Sequence, residues 1–251
     1  MWKIVGVLGA VSLLTLLIPA RADDNADLRV LVAKAIKAHG GTDALSKYKA
    51  SVTKQKGKFR GLGDAIDFTG DSSVQLPDRL RTEVHSKFGG QDFVFVQIVN
   101  GNKGWFKIAG NTDELKKDML EEAKEQMNAL NITRLVCLND KDYKVSPLGE
   151  VKVGDRPAIG IRVERKGYRD VSLFFDKERS LLLKLETRGK DPMQGGAEYT
   201  STTFYDDYKK VEGMMVAYNV KVERDGKPYV ESEVIEVKVS EKLDDSLFEK
   251  P

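Results

Sequence analysis

The stretch Ala158–Glu186, AIGIRVERKGYRDVSLFFDKERSLLLKLE, decides the fold class, because apolar and polar side chains alternate along three successive segments. The apolar sets are Ile159, Ile161 and Val163; Val171, Leu173 and Phe175; and Leu181, Leu183 and Leu185. A period of two places alternate side chains on opposite faces of a strand. We therefore predict three consecutive strands, each with one buried face.

The same alternation continues on both sides of this stretch. Leu80–Phe88 has one apolar and one charged face, and Gln91–Val99 is apolar on both faces. Asn100-Gly101 and Asp225-Gly226 are dipeptides typical of two-residue hairpin turns. The sequence thus predicts about ten strands, most of them joined as hairpins, with a bulge near Val234, where the parity slips.

Two segments have a helical period instead. Asp27–Ala38 carries apolar residues at a spacing of three and four, and glycines follow it. Asn111–Leu130 carries a second apolar stripe, and Asn111 with Glu114 resembles a capping box at its start. We expect a helix in each segment.

These elements predict an α+β protein with one large curved antiparallel sheet, a half-open β-barrel whose opening the helices close. No linker rich in proline or serine and no internal repeat divides the chain. We therefore expect residues 23–251 to form a single domain.

Residues 1–22 have the three parts of a signal peptide. Lys3 is followed by the apolar run Ile4–Leu17, and Ala20 and Ala22 form a small-x-small cleavage pattern. The apolar run is shorter than the ~20 residues of a membrane-spanning helix. We predict cleavage after Ala22 and export of residues 23–251.

Charge and cysteine content limit the partners and the compartment. The sequence contains 41 Lys and Arg residues and 39 Asp and Glu residues. Residues 1–22 contain two of the basic residues and no acidic residue, so residues 23–251 have a formal net charge of zero. A neutral chain with dispersed charge does not attract nucleic acid over a long range, so no nucleic-acid partner is expected. A single cysteine, Cys137, allows no internal disulfide, which favours a bacterial envelope protein.

The sequence contains no recognisable catalytic, nucleotide-binding or metal-binding motif. Of the two histidines, His39 follows a predicted helix and His85 lies on the charged side of a strand, so we expect both at the surface. Cys137 lies in an apolar segment and is expected to be buried and unreactive. We therefore expect a protein that is not an enzyme, with no catalytic residues, no cofactor and no metal.

Several segments resemble exported proteins of the LolA-like, outer-membrane lipoprotein-sorting type. They are His39-Gly40-Gly41, the block Gly149–Pro157, Leu173–Lys177, Asp207–Gly213 and the ending Leu243–Pro251. The resemblance covers most of residues 23–251 and is best in residues 149–251.

The resemblance implies a half-open antiparallel barrel, as in LolA and LolB, closed by helices over an apolar concavity. It also implies a carrier or sensor for lipids or lipoproteins in the periplasm of a Gram-negative-type bacterium. Expected partners are acyl chains and an envelope membrane protein, and we expect a monomer.

We predict that an acyl chain contacts nine apolar side chains. They are Phe93, Phe95, Phe106, Met119, Leu173, Phe175, Leu183, Phe204 and Met215. The alternative, which the pattern alone favours for each of them, is an ordinary packed core. Two alternatives stay open. One is an envelope interaction module with a filled core and no ligand, and the other is a hydrolase without a recognisable motif.

Overall fold

A computed structural model describes the backbone of residues 22–251 and the side chains of residues 27–251. The helices are α1 (Ala22–Ala38), α2 (Gly41–Lys47) and α3 (Lys117–Ile132). The strands are β1 (Ala50–Phe59), β2 (Ile66–Gln75), β3 (Arg79–Phe88), β4 (Gln91–Asn100), β5 (Lys103–Ile108), β6 (Asn111–Glu114), β7 (Tyr143–Val153), β8 (Arg156–Arg165), β9 (Val171–Asp176), β10 (Leu182–Asp191), β11 (Ala197–Val211), β12 (Met214–Arg224) and β13 (Lys227–Ser240). Three short 3-10 turns lie at Val136–Asn139, Pro192–Gln194 and Asp245–Phe248.

All thirteen strands form one antiparallel sheet with the order β6-β5-β4-β3-β2-β1-β13-β12-β11-β10-β9-β8-β7. Each half of the sheet is a run of sequential hairpins. The pairing of β1 with β13, which aligns Ala50 with Ser240, joins the two halves. Within the described residues β6 and β7 are edges, so the sheet is open. The predicted α+β class with a large, unclosed antiparallel sheet is confirmed.

The sheet has two different faces, which we call inner and outer. The inner face packs against all three helices. In its main core, Val32 and Ala35 of α1 pack together with residues of the strands. Among these strand residues, Ile161, Leu173 and Phe175 are fully buried. The outer face is largely polar, apart from two small apolar clusters.

The junction between α1 and α2 fits closely against the β11–β12 turn. Gly40 has a φ of 124°, and a Cβ atom there would lie 2.5 Å from the carbonyl oxygen of Gly213. Only glycine allows both this backbone conformation and this approach. The predicted glycine at the end of the first helix is therefore required by packing as well as by capping.

His39 is buried, and the prediction that it lies at the surface is wrong. Its Nδ1 donates to the carbonyl oxygen of Ala35 at 2.8 Å, and its Nε2 accepts from the backbone N–H of Leu182 at 3.3 Å. Burial lowers the pKa of the imidazole, which is therefore held neutral between α1 and β10. His85, by contrast, is exposed, as predicted.

The third helix starts later than predicted. Asn111 belongs to β6 and pairs with Ile108 across a two-residue turn formed by Ala109 and Gly110, which both have positive φ. The predicted capping box is therefore wrong, because the turn makes a hairpin there. The helix begins at Lys117.

A bulge in β10 changes which leucines face the helices. The pairing of β10 with β9 shifts between Leu182 and Lys184. As a result Leu182 and Leu185 belong to the inner core, whereas Leu183 belongs to an outer cluster. The prediction that Leu183 and Leu185 share a face is therefore wrong. The predicted bulge near Val234 is confirmed, because Lys54 pairs with Glu236 and Gln55 with Val234.

The C-terminal segment covers part of the outer face. Phe248 is fully buried against Val96 and Ile98, and the side-chain amide of Asn100 donates to its carbonyl oxygen at 3.2 Å. Burial of a phenylalanine of this kind stabilises the fold by about 1.5–3 kcal/mol. This segment therefore stabilises the part of the sheet that β3, β4 and β5 form.

Among the described residues, no helix combines the length and apolar character needed to cross a bilayer. The predicted signal peptide, including the side chains at its cleavage site, lies outside the residues whose side chains are described.

Candidate functional site

A cavity of about 330 Å³ lies between α3 and the inner face of strands β10 to β13. Its roof is formed by Gln126, Ala129 and Leu130 of α3. Its floor is formed by strand residues Leu185, Thr187, Ser201, Thr203, Tyr205, Val222 and Val230. The helix therefore acts as a cover over a concave part of the sheet.

The two ends of this cavity differ in polarity. Near Tyr199 the lining is charged, with Glu122, Arg169 and Arg224. Further along β11 the lining becomes apolar, with Leu185 and Val222 on the two strands beside Thr203. We call these parts the charged end and the apolar end. This arrangement suits an amphiphilic ligand better than a wholly apolar one.

Glu122 holds α3 over the charged end. Its carboxylate accepts from both terminal nitrogens of Arg169, one at 2.8 Å, and from the backbone N–H of Lys190 at 2.9 Å. Burial raises the pKa of this carboxyl, but the hydrogen bonds from Arg169 and Lys190 outweigh it and lower the pKa overall. Glu122 is therefore ionised and links α3 to the β8–β9 loop and to β10.

Arg224 forms a second rigid group at the charged end. Its guanidinium lies 3.7 Å from the ring centre of Tyr229 and 4.2 Å from that of Tyr199, and it pairs with Asp191 at 3.3 Å. Gly189 leaves room for this arrangement, because a Cβ atom there would collide with the Tyr199 ring. The arginine is thus stacked and paired at the mouth of the cavity.

Tyr205 lies at the apolar end. Burial raises the pKa of its hydroxyl far above the ordinary value. Together with Thr187, Ser201 and Thr203 it gives the floor a row of hydroxyl groups. The floor can therefore donate hydrogen bonds at these positions, whereas the floor at Leu185 and the roof at Ala129 are apolar.

A smaller cavity of about 130 Å³ adjoins the charged end and shares Glu122, Gln126, Tyr199 and Arg224 with the first cavity. It brings Met119 and Gln97 next to the site. A larger depression of about 1000 Å³ lies mainly on the outer face. Its charged side chains pair with one another, for example Lys58 with Asp67 at 2.7 Å, as the charges at the charged end of the first cavity also do.

The nine predicted lining residues lie in three places. Leu173 and Phe175 are fully buried in the main core. Leu183 and Phe204 pack together on the outer face, and Met215 points away from the inner residue Met214 beside it. The third group is Phe93, Phe95 and Phe106, on the inner face of β4 and β5, with Met119 of α3, which packs against the same apolar cluster as Phe106.

None of the nine lines the 330 Å³ cavity, and only Met119 lines the adjoining one. Ligand contact by these nine side chains therefore stays a prediction. Sequence reasoning missed Thr203, Tyr205 and Arg224, because a hydroxyl or a charge on a strand normally indicates a solvent-exposed face.

Cys137 is half-buried, and its thiol donates weakly to the carbonyl oxygen of Asn131 at 3.6 Å. Burial raises the pKa of this thiol to about 11. This environment agrees with the prediction that the thiol is unreactive. Among the described residues, no group of three or more histidine, cysteine, aspartate or glutamate side chains could hold a metal ion.

No protein-family model matches the sequence, and no curated protein matches it. Solved structures do match the fold. A LolA superfamily protein from Nitrosomonas europaea aligns with a TM-score of 0.57 and 12% identity, over 88% of this chain and 97% of that one. A DUF1329 family protein from Desulfovibrio piger aligns with a TM-score of 0.55 and 12% identity, over 88% and 96%.

A domain named for outer membrane lipoprotein sorting, from Vibrio parahaemolyticus, aligns with a TM-score of 0.52 and 11% identity, over 87% of this chain and 94% of that one. The LolA-like fold expected from the sequence resemblance is thereby confirmed. At these identities the likeness concerns the fold alone.

Proposed function

We propose that this protein is a non-enzymatic carrier or sensor that holds an acylated ligand in the cavity beneath α3. The observation that carries the proposal is the cavity itself, which has an apolar end and lies between α3 and the inner face of the sheet. Burial of acyl methylenes against Leu185, Val222 and Ala129 would supply about 0.8 kcal/mol for each methylene.

The cover over the cavity also supports the proposal. α3 packs against the inner face through apolar residues such as Ala123 and Ile132. Beside the cavity it is also held by polar contacts, with Glu122 on Arg169 and Asn128 accepting from Arg165 at 2.8 Å. α3 therefore covers the cavity through both apolar and polar contacts.

We place the carrier in the periplasm of a Gram-negative-type bacterium, as a monomer that exchanges its ligand with an envelope membrane protein. The signal-peptide pattern of residues 1–22 and the neutral charge of residues 23–251 support this location. The LolA-like fold, which a domain named for outer membrane lipoprotein sorting shares, supports an acylated cargo.

The test is to express the full chain in a bacterial host and to purify it from the periplasm without detergent. Native mass spectrometry and organic extraction would then detect bound lipid. We expect a one-to-one acylated adduct. Its absence, with no uptake of added phospholipid or fatty acid, would overturn the proposal in favour of an interaction module without a ligand.

A matched pair of variants locates the ligand. Thr203 lies on the cavity floor, whereas its neighbour Thr202 pairs with Glu186 and Glu223 on the outer face. Thr203→Arg places a charge in the cavity and is expected to remove the adduct, while Thr202→Arg is expected to keep it. Equal retention by both variants would place the ligand elsewhere.

A further inference from the structure

The β5–β6 hairpin is shorter than the strand beside it, which leaves part of β4 without a neighbour. β4 pairs with β3 along its whole length. On its other side, β5 pairs only with Phe95–Asn100, because the chain turns away at Ala109-Gly110. Among the described residues, Gln91–Val94 therefore have no strand partner on the β5 side. We call this open stretch of β4 the notch.

The hairpin register determines which backbone groups point into the notch. Gly89-Gly90 forms a two-residue turn, and the pair that closes such a turn, here Phe88 with Gln91, is hydrogen-bonded. Since the bonding direction alternates along a strand, Asp92 and Val94 point their backbone groups away from β3. Two N–H and two C=O groups are therefore open to another strand in the notch.

The notch is apolar on both faces of the sheet. On the inner face Phe93 and Phe95 lie beside it, and Phe95 pairs with Ile108, which is 37% exposed. On the outer face Val94 is 41% exposed and lines a depression together with Ala109. Within the described part of the chain, Phe93, Phe95 and Ile108 belong to none of the buried apolar clusters. These side chains can therefore be buried by another molecule.

The two end strands of the sheet lack this combination. β7 contains Pro147, which has no N–H, and its pairing with β8 shifts before Gly149. It also exposes charges such as Lys144 and Glu150. β6 has only four residues, and all of them are polar. Features of this kind protect an edge from strand addition, and the notch has only the charge of Asp92.

We propose that the notch binds an extended segment of a partner protein, which adds to β4 as an antiparallel strand in the place where β5 would have continued. The open backbone groups of Asp92 and Val94 favour a peptide over a lipid, because an acyl chain cannot form hydrogen bonds with them. This inference goes beyond the proposed function, since it does not require a ligand beneath α3.

The faces of β4 determine which side chains suit such a segment. Residues that lie opposite each other in a sheet point to the same face. The residue opposite Phe93 therefore lies on the inner face, where Phe93 and Phe95 can bury a large apolar side chain. Its two neighbours lie on the outer face, one beside Val94 and one beside Asp92, whose side chain is 85% exposed. The expected order is valine or isoleucine, then phenylalanine or leucine, then lysine or arginine.

The test uses the protein purified from the periplasm and a fluorescein-labelled peptide, Ser-Thr-Val-Phe-Lys-Thr-Ser. We expect fluorescence anisotropy to detect saturable one-to-one binding with a dissociation constant below about 1 mM. Hydrogen exchange at the amides of Asp92 and Val94 should slow when the peptide binds, because these N–H groups become hydrogen-bonded.

Two methylated peptides separate strand addition from apolar adhesion. In the proposed pairing the N–H of the peptide's valine points to β4, whereas the N–H of its phenylalanine points away. N-methylation of the valine is therefore expected to weaken binding about tenfold or more, and N-methylation of the phenylalanine to change it less than about twofold. Equal effects of the two methyl groups would overturn the inference.

A matched pair of variants tests the protein side of the pairing. Val94→Pro removes an N–H that points into the notch and leaves the hydrogen bonds to β3 in place. It should weaken peptide binding about tenfold, whereas Val94→Thr, which keeps the N–H and the branched shape, should retain it. If Val94→Pro does not fold, the methylated peptides still decide the question with the wild type.

The remaining outcomes also count against the inference. Absence of saturable peptide binding overturns it and leaves the proposed lipid carrier unaffected. Flotation of the protein with phosphatidylglycerol vesicles, lost in Phe93→Ser and without any peptide binding, would assign the exposed apolar side chains to a membrane surface instead.

Discussion

Glu122 in α3 and Arg169 in the β8–β9 loop are 47 residues apart in sequence and form a two-point ion pair at the charged end of the cavity. The Glu122 side chain is only 11% exposed. Loss of one partner would leave the other partly buried and unpaired, which costs more than loss of an exposed pair. The pair is therefore one of the contacts that hold α3 over the cavity, beside the apolar contacts of residues such as Ala123 and Ile132.

We expect Glu122→Gln to lower the free energy of unfolding by about 1–3 kcal/mol at pH 7. It should also increase amide hydrogen exchange in α3. Glu121→Gln is the matched control, because Glu121 is exposed and pairs only with Lys117, at 3.9 Å. Urea unfolding and hydrogen exchange measure both effects. Equal behaviour of the two variants would contradict a role of Glu122 in holding α3 against the sheet.

The contribution of Glu122 also depends on pH. Its folded-state pKa is lowered, so the stabilisation is present above the unfolded pKa of ~4.3 and is lost as the pH falls through the folded pKa. The difference in stability between the wild type and Glu122→Gln should therefore shrink in acid. A difference that stayed constant from pH 7 to pH 3 would show that the carboxylate charge contributes nothing.

His39 gives a separate pH dependence at higher pH. Burial lowers its folded-state pKa, so its stabilisation is complete above the unfolded pKa of ~6.5 and is lost as the pH falls from there through the folded value. Protonation would also remove the acceptor for the N–H of Leu182.

We expect the wild type to lose stability between pH 6.5 and pH 5, and His39→Gln to lose less over this interval. Glu122 and Glu83 have lowered pKa values, so their contributions change only at lower pH. Chemical unfolding at pH 5, 6 and 7.5 measures the free energy of unfolding of the two proteins. The same change of this free energy with pH in both proteins would refute the prediction.

Phe248 is expected to be one of the most sensitive positions on the outer face. Phe248→Ala should cost about 3–5 kcal/mol, because it leaves a cavity against Val96, Ile98 and Trp105. Lys250→Ala, two residues further on at an exposed position, is the control. Thermal unfolding followed by the fluorescence of Trp105 measures both, and a loss below 1 kcal/mol would mean that the C-terminal segment is not docked.

Cys137 should react slowly with thiol reagents in the folded protein. Burial raises the pKa of its thiol to about 11, so at pH 8 only about one thiol in a thousand is ionised. We expect the reaction rate to rise by at least a hundredfold in guanidinium. Rapid labelling of the folded protein would show that the segment around Cys137 opens readily.

Much of the fold follows from local patterns. The alternation in Val171–Asp176 predicts the inner face of β9 correctly, because Val171, Leu173 and Phe175 all reach the main core. β1 and β2 give a weaker signal, since inner positions such as Thr53 and Ser72 are polar. The pairing of β1 with β13 depends on contacts distant in sequence, which no local pattern specifies.

The site was less predictable than the fold for two physical reasons. A single bulge in β10 reverses the faces of Leu183 and its neighbours, and a hydrophobic pattern alone does not reveal it. The cavity floor also uses Thr203 and Tyr205 on its inner face, where sequence reasoning expects aliphatic side chains. A sheet that encloses a cavity and a sheet with a filled core therefore have similar patterns of apolar and polar residues. Only the packing of their side chains distinguishes them.

The most direct test of an acyl-binding cavity beneath α3 is photochemical cross-linking with a dodecanoic acid that carries a diazirine near its methyl end. Peptide mapping by mass spectrometry then identifies the labelled side chains. We predict labels at Ala129, Leu185, Thr203 and Val222, which surround the apolar end of the cavity. Labels confined to the outer depression around Lys58 and Asp67, or no saturable labelling, would contradict an acyl-binding cavity beneath α3.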